Sequence, residues 1–177
     1  MSDITNTELI ARYFYTGKHK PNLVYLHACH REDIPLQLSG IHHVAIICSD
    51  YKKSKVFYTE ILGLKIIAEN FRQQRNSYKL DLALPNGGQI ELFSFPSPPA
   101  RANHPEAAGL RHLAFVVQSV EQYSAYLASQ GVDVEPVRVD EYTGRKYTFF
   151  ADPDGLPLEL YEDDSGEFFN ERLFNEQ

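Results

Sequence analysis

The sequence predicts an α+β fold: two repeated βαβββ modules forming a curved mixed sheet around a cleft. Three observations carry this. Gly109-Leu110-Arg111-His112-Leu113-Ala114-Phe115-Val116-Val117 repeats Gly40-Ile41-His42-His43-Val44-Ala45-Ile46-Ile47-Cys48, with a glycine, a histidine three residues on, and an apolar run. Each copy is trailed by an apolar-flanked glutamate, Gln89-Ile90-Glu91-Leu92-Phe93 after the first and Pro157-Leu158-Glu159-Leu160-Tyr161 after the second, at spacings that differ by one residue. A turn-forming tetrapeptide precedes each glutamate strand, Pro85-Asn86-Gly87-Gly88 and Asp152-Pro153-Asp154-Gly155.

Taken in order, residues 1–38 are an N-terminal arm or appendage without a counterpart in the repeat. Glu8 to Tyr15 has the pattern of two helical turns, ended by Gly17 and Pro21. His27-Ala28-Cys29-His30 has metal-binding residue types, but its spacing matches no structural zinc pattern. The repeat domain covers 39–162, with modules at about 40–95 and 109–162 and a proline-rich linker at 96–108. In the first module the β-branched run 41–48 predicts a strand, and Ser49-Asp50 an N-cap for a helix over 51–62. Val56, Phe57, Ile61 and Leu62 form its apolar stripe and Gly63 its stop. Strands are expected near 64–70, 77–84 and 88–95. Pro96, Pro98, Pro99 and Pro105 then bar further sheet, since proline lacks the donor a ladder needs. The second module reads as strand 110–117, a helix over 120–130 capped by Ser119 and closed by Gly131, and strands near 134–139, 146–151 and 157–161. Residues 163–177 form an acidic C-terminal tail with Phe168, Phe169 and Phe174, which suit either a short packed helix or self-association.

A chain of 177 residues can bury roughly 70% of its unfolded surface, so a core without staples is expected. An apolar fraction of 43% and a charged fraction of 23% are ordinary for a globular protein, and no run is long enough to span a bilayer. The net charge of −7 and scattered basic residues argue against a nucleic-acid surface and for a small-molecule partner. With no visible secretory leader and two cysteines, Cys29 and Cys48, a reduced, cytoplasmic protein is expected.

Period-two alternation sorts the faces of the strands. His43 shares a face with Ala45 and Ile47, and His112 with Ala114 and Val116. Glu91 and Glu159 each have aliphatic neighbours on the opposite face, which call for a helix above them. His42 falls on the opposite face from His43. A lone strand histidine is ordinarily a structural hydrogen-bonding group, and a lone strand glutamate is ordinarily exposed. Duplication changes that reading: if the modules meet with approximate twofold symmetry, His43, Glu91, His112 and Glu159 converge as a two-nitrogen, two-oxygen set suited to a divalent metal. The cleft becomes a metal-binding cleft, because converging carboxylates need a cation.

At these residues the sequence resembles the vicinal-oxygen-chelate family of glyoxalase I, bleomycin-resistance proteins and extradiol dioxygenases, over about residues 40–162. It is most similar to the glyoxalase-I-like branch, through Ile90-Glu91-Leu92, Arg111-His112-Leu113-Ala114-Phe115, and Asp152-Pro153-Asp154-Gly155 running into Leu158-Glu159-Leu160. The resemblance implies a divalent-metal-dependent lyase of the lactoylglutathione lyase type. Such an enzyme acts through an enediolate on a substrate derived from a small α-oxoaldehyde, with His43, Glu91, His112 and Glu159 holding nickel, cobalt or zinc. Glu159 would be the base, with Glu91 assisting. The alternatives are a metal-dependent isomerase or iron dioxygenase of the same family, or a small-molecule binding or resistance protein. The family also implies a homodimer, with sites built within one chain or shared between two. Glutathione-using members usually carry an arginine four residues after the first histidine and an asparagine four after the first glutamate. Ile47 and Phe95 stand there. For a glutathione adduct, Arg111, Arg138, Arg145 and Lys146 are the compensating cations to consider.

Overall fold

The computed structural model describes residues 38–163. The chain divides into a unit spanning Met1–Gly40 and a second spanning Ile41–Gln177, which contains every strand and helix of both modules. The arm helix, the His27–His30 cluster and the tail phenylalanines lie outside the described residues.

The first module comprises β1 (His43–Cys48), α1 (Tyr51–Val56) continued by a π-helical turn over Phe57–Ile61, β2 (Lys65–Arg72), β3 (Ser77–Ala83) and β4 (Gln89–Ser94). The second repeats it with β5 (Leu113–Val117), α2 (Val120–Ser129), β6 (Arg138–Val139), β7 (Lys146–Ala151) and β8 (Pro157–Glu162). Each module makes its own four-stranded mixed sheet, ordered β1-β4-β3-β2 and β5-β8-β7-β6. In both, the first and last strands pair in parallel and the other pairs are antiparallel. A parallel pair needs a crossover rather than a hairpin, and the helix after each first strand begins it. The helices are capped as their sequences require: Asp50 accepts from the Lys53 amide at 3.1 Å and Ser119 from that of Gln122 at 3.3 Å. Gly63 and Gly131, with φ of 72° and 78°, end them in the left-handed region that glycine enters without strain.

One face of each sheet is dry. Ile46, Leu80, Leu82, Ile90 and Leu92 from the first sheet join Phe150, Leu158 and Leu160 from the second in one buried cluster, with Phe57, Tyr58, Val120 and Leu127 from the helices. The other faces stay open, as Ile47 at 56% exposure shows. Three local features differ from the sequence expectation. In the first helix Val56 is exposed, while Ser54 and Tyr58 are buried. The π turn, closed by Leu62 N–H donating to Phe57 O at 2.9 Å, brings Phe57 and Tyr58 inward together. The expected strand over 134–139 shrinks to Arg138–Val139 plus a bridge at Val134, because Pro136 has no N–H for the ladder. Strand β5 begins at Leu113 rather than 110, since the carbonyls of Leu110 and Arg111 are taken by the Arg101 guanidinium.

The modules are joined at the Asp-Pro-Asp-Gly turn. Buried Tyr58 donates to Asp152 Oδ2 at 3.0 Å, and Asp152 Oδ1 accepts from the amides of Asp154 at 2.9 Å and Leu156 at 2.8 Å. Asp154 in turn accepts from the Ser49 amide at 3.0 Å and binds the Ser49 hydroxyl. Tyr126 of α2 reaches the Ile61 carbonyl at 3.0 Å. The turn is therefore a clamp between modules.

Cys48 is fully buried, and burial pushes its thiol up to about 11. The peptide containing Cys48 is expected to resist iodoacetamide at pH 8 in native protein and to react in denaturant; peptide mass mapping after labelling checks this. Among the described residues no helix is long and apolar enough to cross a membrane.

Candidate metal centre

The open face of the first sheet presents one imidazole and a cluster of charge. Glu91 stands between Ala45 on β1 and Asp81 on β3. His43 Nε2 lies 3.7 Å from Glu91 Oε2. The Lys79 ammonium bonds Asp81 at 2.6 Å and the other Glu91 oxygen, Oε1, at 2.9 Å. Hydrogen bonds to Asp81 first and Glu91 second raise the Lys79 pKa, so the ammonium is retained well above neutral pH. One oxygen of Glu91 is thus committed to Lys79, and the other faces His43. His42, which alternation assigns to the opposite face, instead turns its Nδ1 to within 3.0 Å of His43 Nδ1, with the rings edge to face. It can do so because it precedes β1, although its carbonyl still accepts from the Gln89 amide at 3.0 Å.

The second sheet repeats the pair. His112 Nε2 approaches Glu159 Oε2 at 2.9 Å, with Phe149 opposite Glu159 on β7 and its ring edge-on to the imidazole at 5.2 Å. His112 Nδ1 is buried without a partner. Glu159 has no lysine: its polar partner among the described residues is His112. The linker sets the approach to this strand. Arg101 grips the two carbonyls before His112, and Asn103 ties Arg101 Nε at 2.9 Å to the Gly155 carbonyl at 2.9 Å. A cavity of about 770 Å³ opens there, bordered by His112, Phe149, Arg138, Asn103 and His104. In sequence this linker reads as a break in the sheet and a connection long enough for sites within one chain or shared between two; its proline density gives no sign that it braces the second histidine.

All four predicted ligands therefore lie on open faces at equivalent positions, as two pairs. The pairs do not join within the chain: among the described residues no three His, Cys, Asp or Glu side chains are grouped to hold a metal ion. Each pair nevertheless fits half of a divalent site, since it offers one imidazole nitrogen and one carboxylate oxygen. His112 Nε2 and Glu159 Oε2, 2.9 Å apart, are close enough to bind one cation together. The four cations raised in sequence are each engaged by a carboxylate: Arg111 by Glu106, Arg138 by Glu135, Arg145 by Asp163 and Lys146 by Glu121.

Two βαβββ modules, each presenting a histidine at the start of its first strand or just before it and a glutamate on the parallel last strand, define a class of two-module proteins built around open sheet faces. The family model described as the Glyoxalase/Bleomycin resistance protein/Dioxygenase superfamily matches residues 40–160, and the chain belongs to that superfamily. It is 58% identical over 125 residues to the uncharacterized protein YwkD of Bacillus subtilis, a match covering 71% of this chain and 98% of that protein. A crystal structure of a glyoxalase family protein from Enterococcus faecalis superposes with a TM-score of 0.66 at 52% identity, covering 70% of this chain and 98% of that one. Likeness to a lactoylglutathione lyase of Schizosaccharomyces pombe is more distant, 28% over 141 residues, covering 68% of this chain and 46% of that protein.

Proposed function

We propose that the chain is a divalent-metal-dependent lyase or isomerase of glyoxalase I type, whose site is completed by a second copy of itself. The observation that carries this is the pair of matched His/Glu half-sites, His43 with Glu91 and His112 with Glu159, each on an open face and separate from the other within one chain. A twofold dimer in which the first sheet of one protomer faces the second sheet of its partner brings the four ligand types together twice, because a symmetric interface repeats every contact. Nickel, cobalt or zinc suits this donor set.

His43, Glu91, His112 and Glu159 would hold the divalent ion, which would supply polarisation of substrate oxygens and an offset to developing negative charge. The protein moves the proton. Glu159 is the better placed base, since its carboxylate is free of a competing ammonium, whereas Glu91 has Lys79 on Oε1. Glu91 orients and His112 holds Glu159 in line; the reaction shifts a proton between adjacent carbons of an α-oxoaldehyde-derived substrate.

Subunit mixing tests the arrangement. His43→Ala and His112→Ala are each expected to be inactive alone. When unfolded together and refolded as an equal mixture, they should regain about a quarter of wild-type activity, since half the dimers are mixed and each mixed dimer has one intact site. No recovery would place the site within one chain. Turnover retained without oxygen separates the lyase from a dioxygenase.

A further inference from the structure

We propose that the open face of the first sheet carries a subsite for an anionic end of the substrate, a carboxylate or phosphate, built by Arg72 with Ser77 and Lys79. The proposal deepens the reading above and rests on it for where the reacting oxygens lie.

Arg72 closes β2 and pairs with Ser77 at the start of β3. Its guanidinium lies over the Phe93 ring, 4.7 Å from the centroid, and 5.4 Å from that of Phe95. Those two rings stack on each other at 6.3 Å and form a floor. Nε and one Nη donate to Ser77 Oγ at 3.0 and 2.6 Å, and Ser77 has no solvent exposure. These bonds use one edge of the fork and fix its plane. The other Nη remains, and among the described residues no carboxylate pairs with Arg72. A planar, permanently charged fork with an uncommitted end matches the two oxygens of a carboxylate or phosphate.

Position links this cation to the half-site. Glu91 and Phe93 are alternate residues of β4, so their side-chain rows lie ~7 Å apart. Lys79, opposite Phe93, fills the interval with Nζ on Glu91 and 5.9 Å from the Phe93 centroid. A small acid whose reacting oxygens meet His43 and Glu91 therefore reaches Arg72 with a group two or three bonds further on. The second module does not duplicate this. Its counterpart Arg138 also lies over two rings, Tyr147 at 5.0 Å and Phe149 at 5.4 Å, but its Nη2 is bound by Glu135 at 2.7 Å. The module with Ile47 and Phe95 thus has its own cation, reached through Phe95.

Three hydroxamates with the same oxygen-chelating head test this by calorimetry on zinc-loaded protein: glycolohydroxamate, malonic monohydroxamate and phosphoglycolohydroxamate. At least one acidic tail should bind roughly 10- to 100-fold more tightly than the neutral probe, and the preferred tail identifies the group. Arg72→Gln should erase that preference while leaving glycolohydroxamate affinity unchanged, and Arg72→Lys should keep part of it. A preference absent from the wild type, or intact in a folded Arg72→Gln protein, overturns the subsite. If no probe shows zinc-dependent binding, the metal reading falls instead, and inorganic phosphate with metal-free protein decides the subsite. A saturable shift of the Arg72 Nε–H resonance supports it, and its absence overturns it.

Discussion

Glu159→Gln is expected to lower turnover of an α-oxoaldehyde hemithioacetal by about 100- to 10,000-fold, the usual contribution of a positioned base. Glutamine keeps the size and an oxygen donor but cannot accept a proton, so the loss separates proton transfer from metal binding. The same change at Glu91 should cost less catalytically, because Lys79 already occupies one Glu91 oxygen at 2.9 Å and that oxygen is not available to substrate. His112→Ala should remove activity and metal together, since it takes away both the imidazole and the 2.9 Å partner of Glu159. Steady-state rates beside metal content per chain distinguish these outcomes. Full activity in Glu159→Gln would remove this carboxylate as the base.

The repeat made the faces legible. Alternation alone assigned His43, Ala45 and Ile47 to one side of β1 and Ile46 and Cys48 to the other, and burial of Ile46 and Cys48 follows it. Matched glutamates worked for the same reason, since Glu91 and Glu159 sit between buried aliphatic neighbours on strands whose partners are equally strict. What alternation cannot supply is the placement of one sheet against another. The four ligands stay in two pairs because the modules pack through helix-covered faces and the Asp152 turn, which leaves both open faces outward. Arg72 escaped notice for a related reason: its contact with Phe95 depends on two strand registers and on the turn Gln73–Arg75 ending at left-handed Asn76. No local pattern in the sequence encodes that meeting. His42 was misplaced because period two applies within a strand, and β1 starts one residue later.

Asp152→Ala should be the most destabilising single change at the clamp. It leaves the buried Tyr58 hydroxyl and the amides of Asp154 and Leu156 without their acceptor. With ~1–3 kcal/mol for each buried group left unsatisfied, a loss of at least about 3 kcal/mol is expected, or roughly 10 °C in Tm. Asp152→Asn keeps an oxygen for both amides and should recover most of it. Both variants also lose the wild-type dependence on pH at this position. Burial raises the Asp152 pKa more than its hydrogen bonds lower it, so the folded state binds this proton more tightly than the unfolded chain does. The associated stability is fully present below the unfolded carboxyl value of about 3.9, and it is lost as pH rises through the higher folded value. Asparagine resembles the protonated acid at every pH. Relative to wild type, both variants should therefore be least favourable near pH 3.5 and improve toward neutrality by the same amount, with Asp152→Asn more stable than Asp152→Ala at every pH. Denaturant midpoints across that range measure the difference, and a wild-type-to-Asn gap independent of pH would show that the carboxyl bears no net desolvation in the clamp.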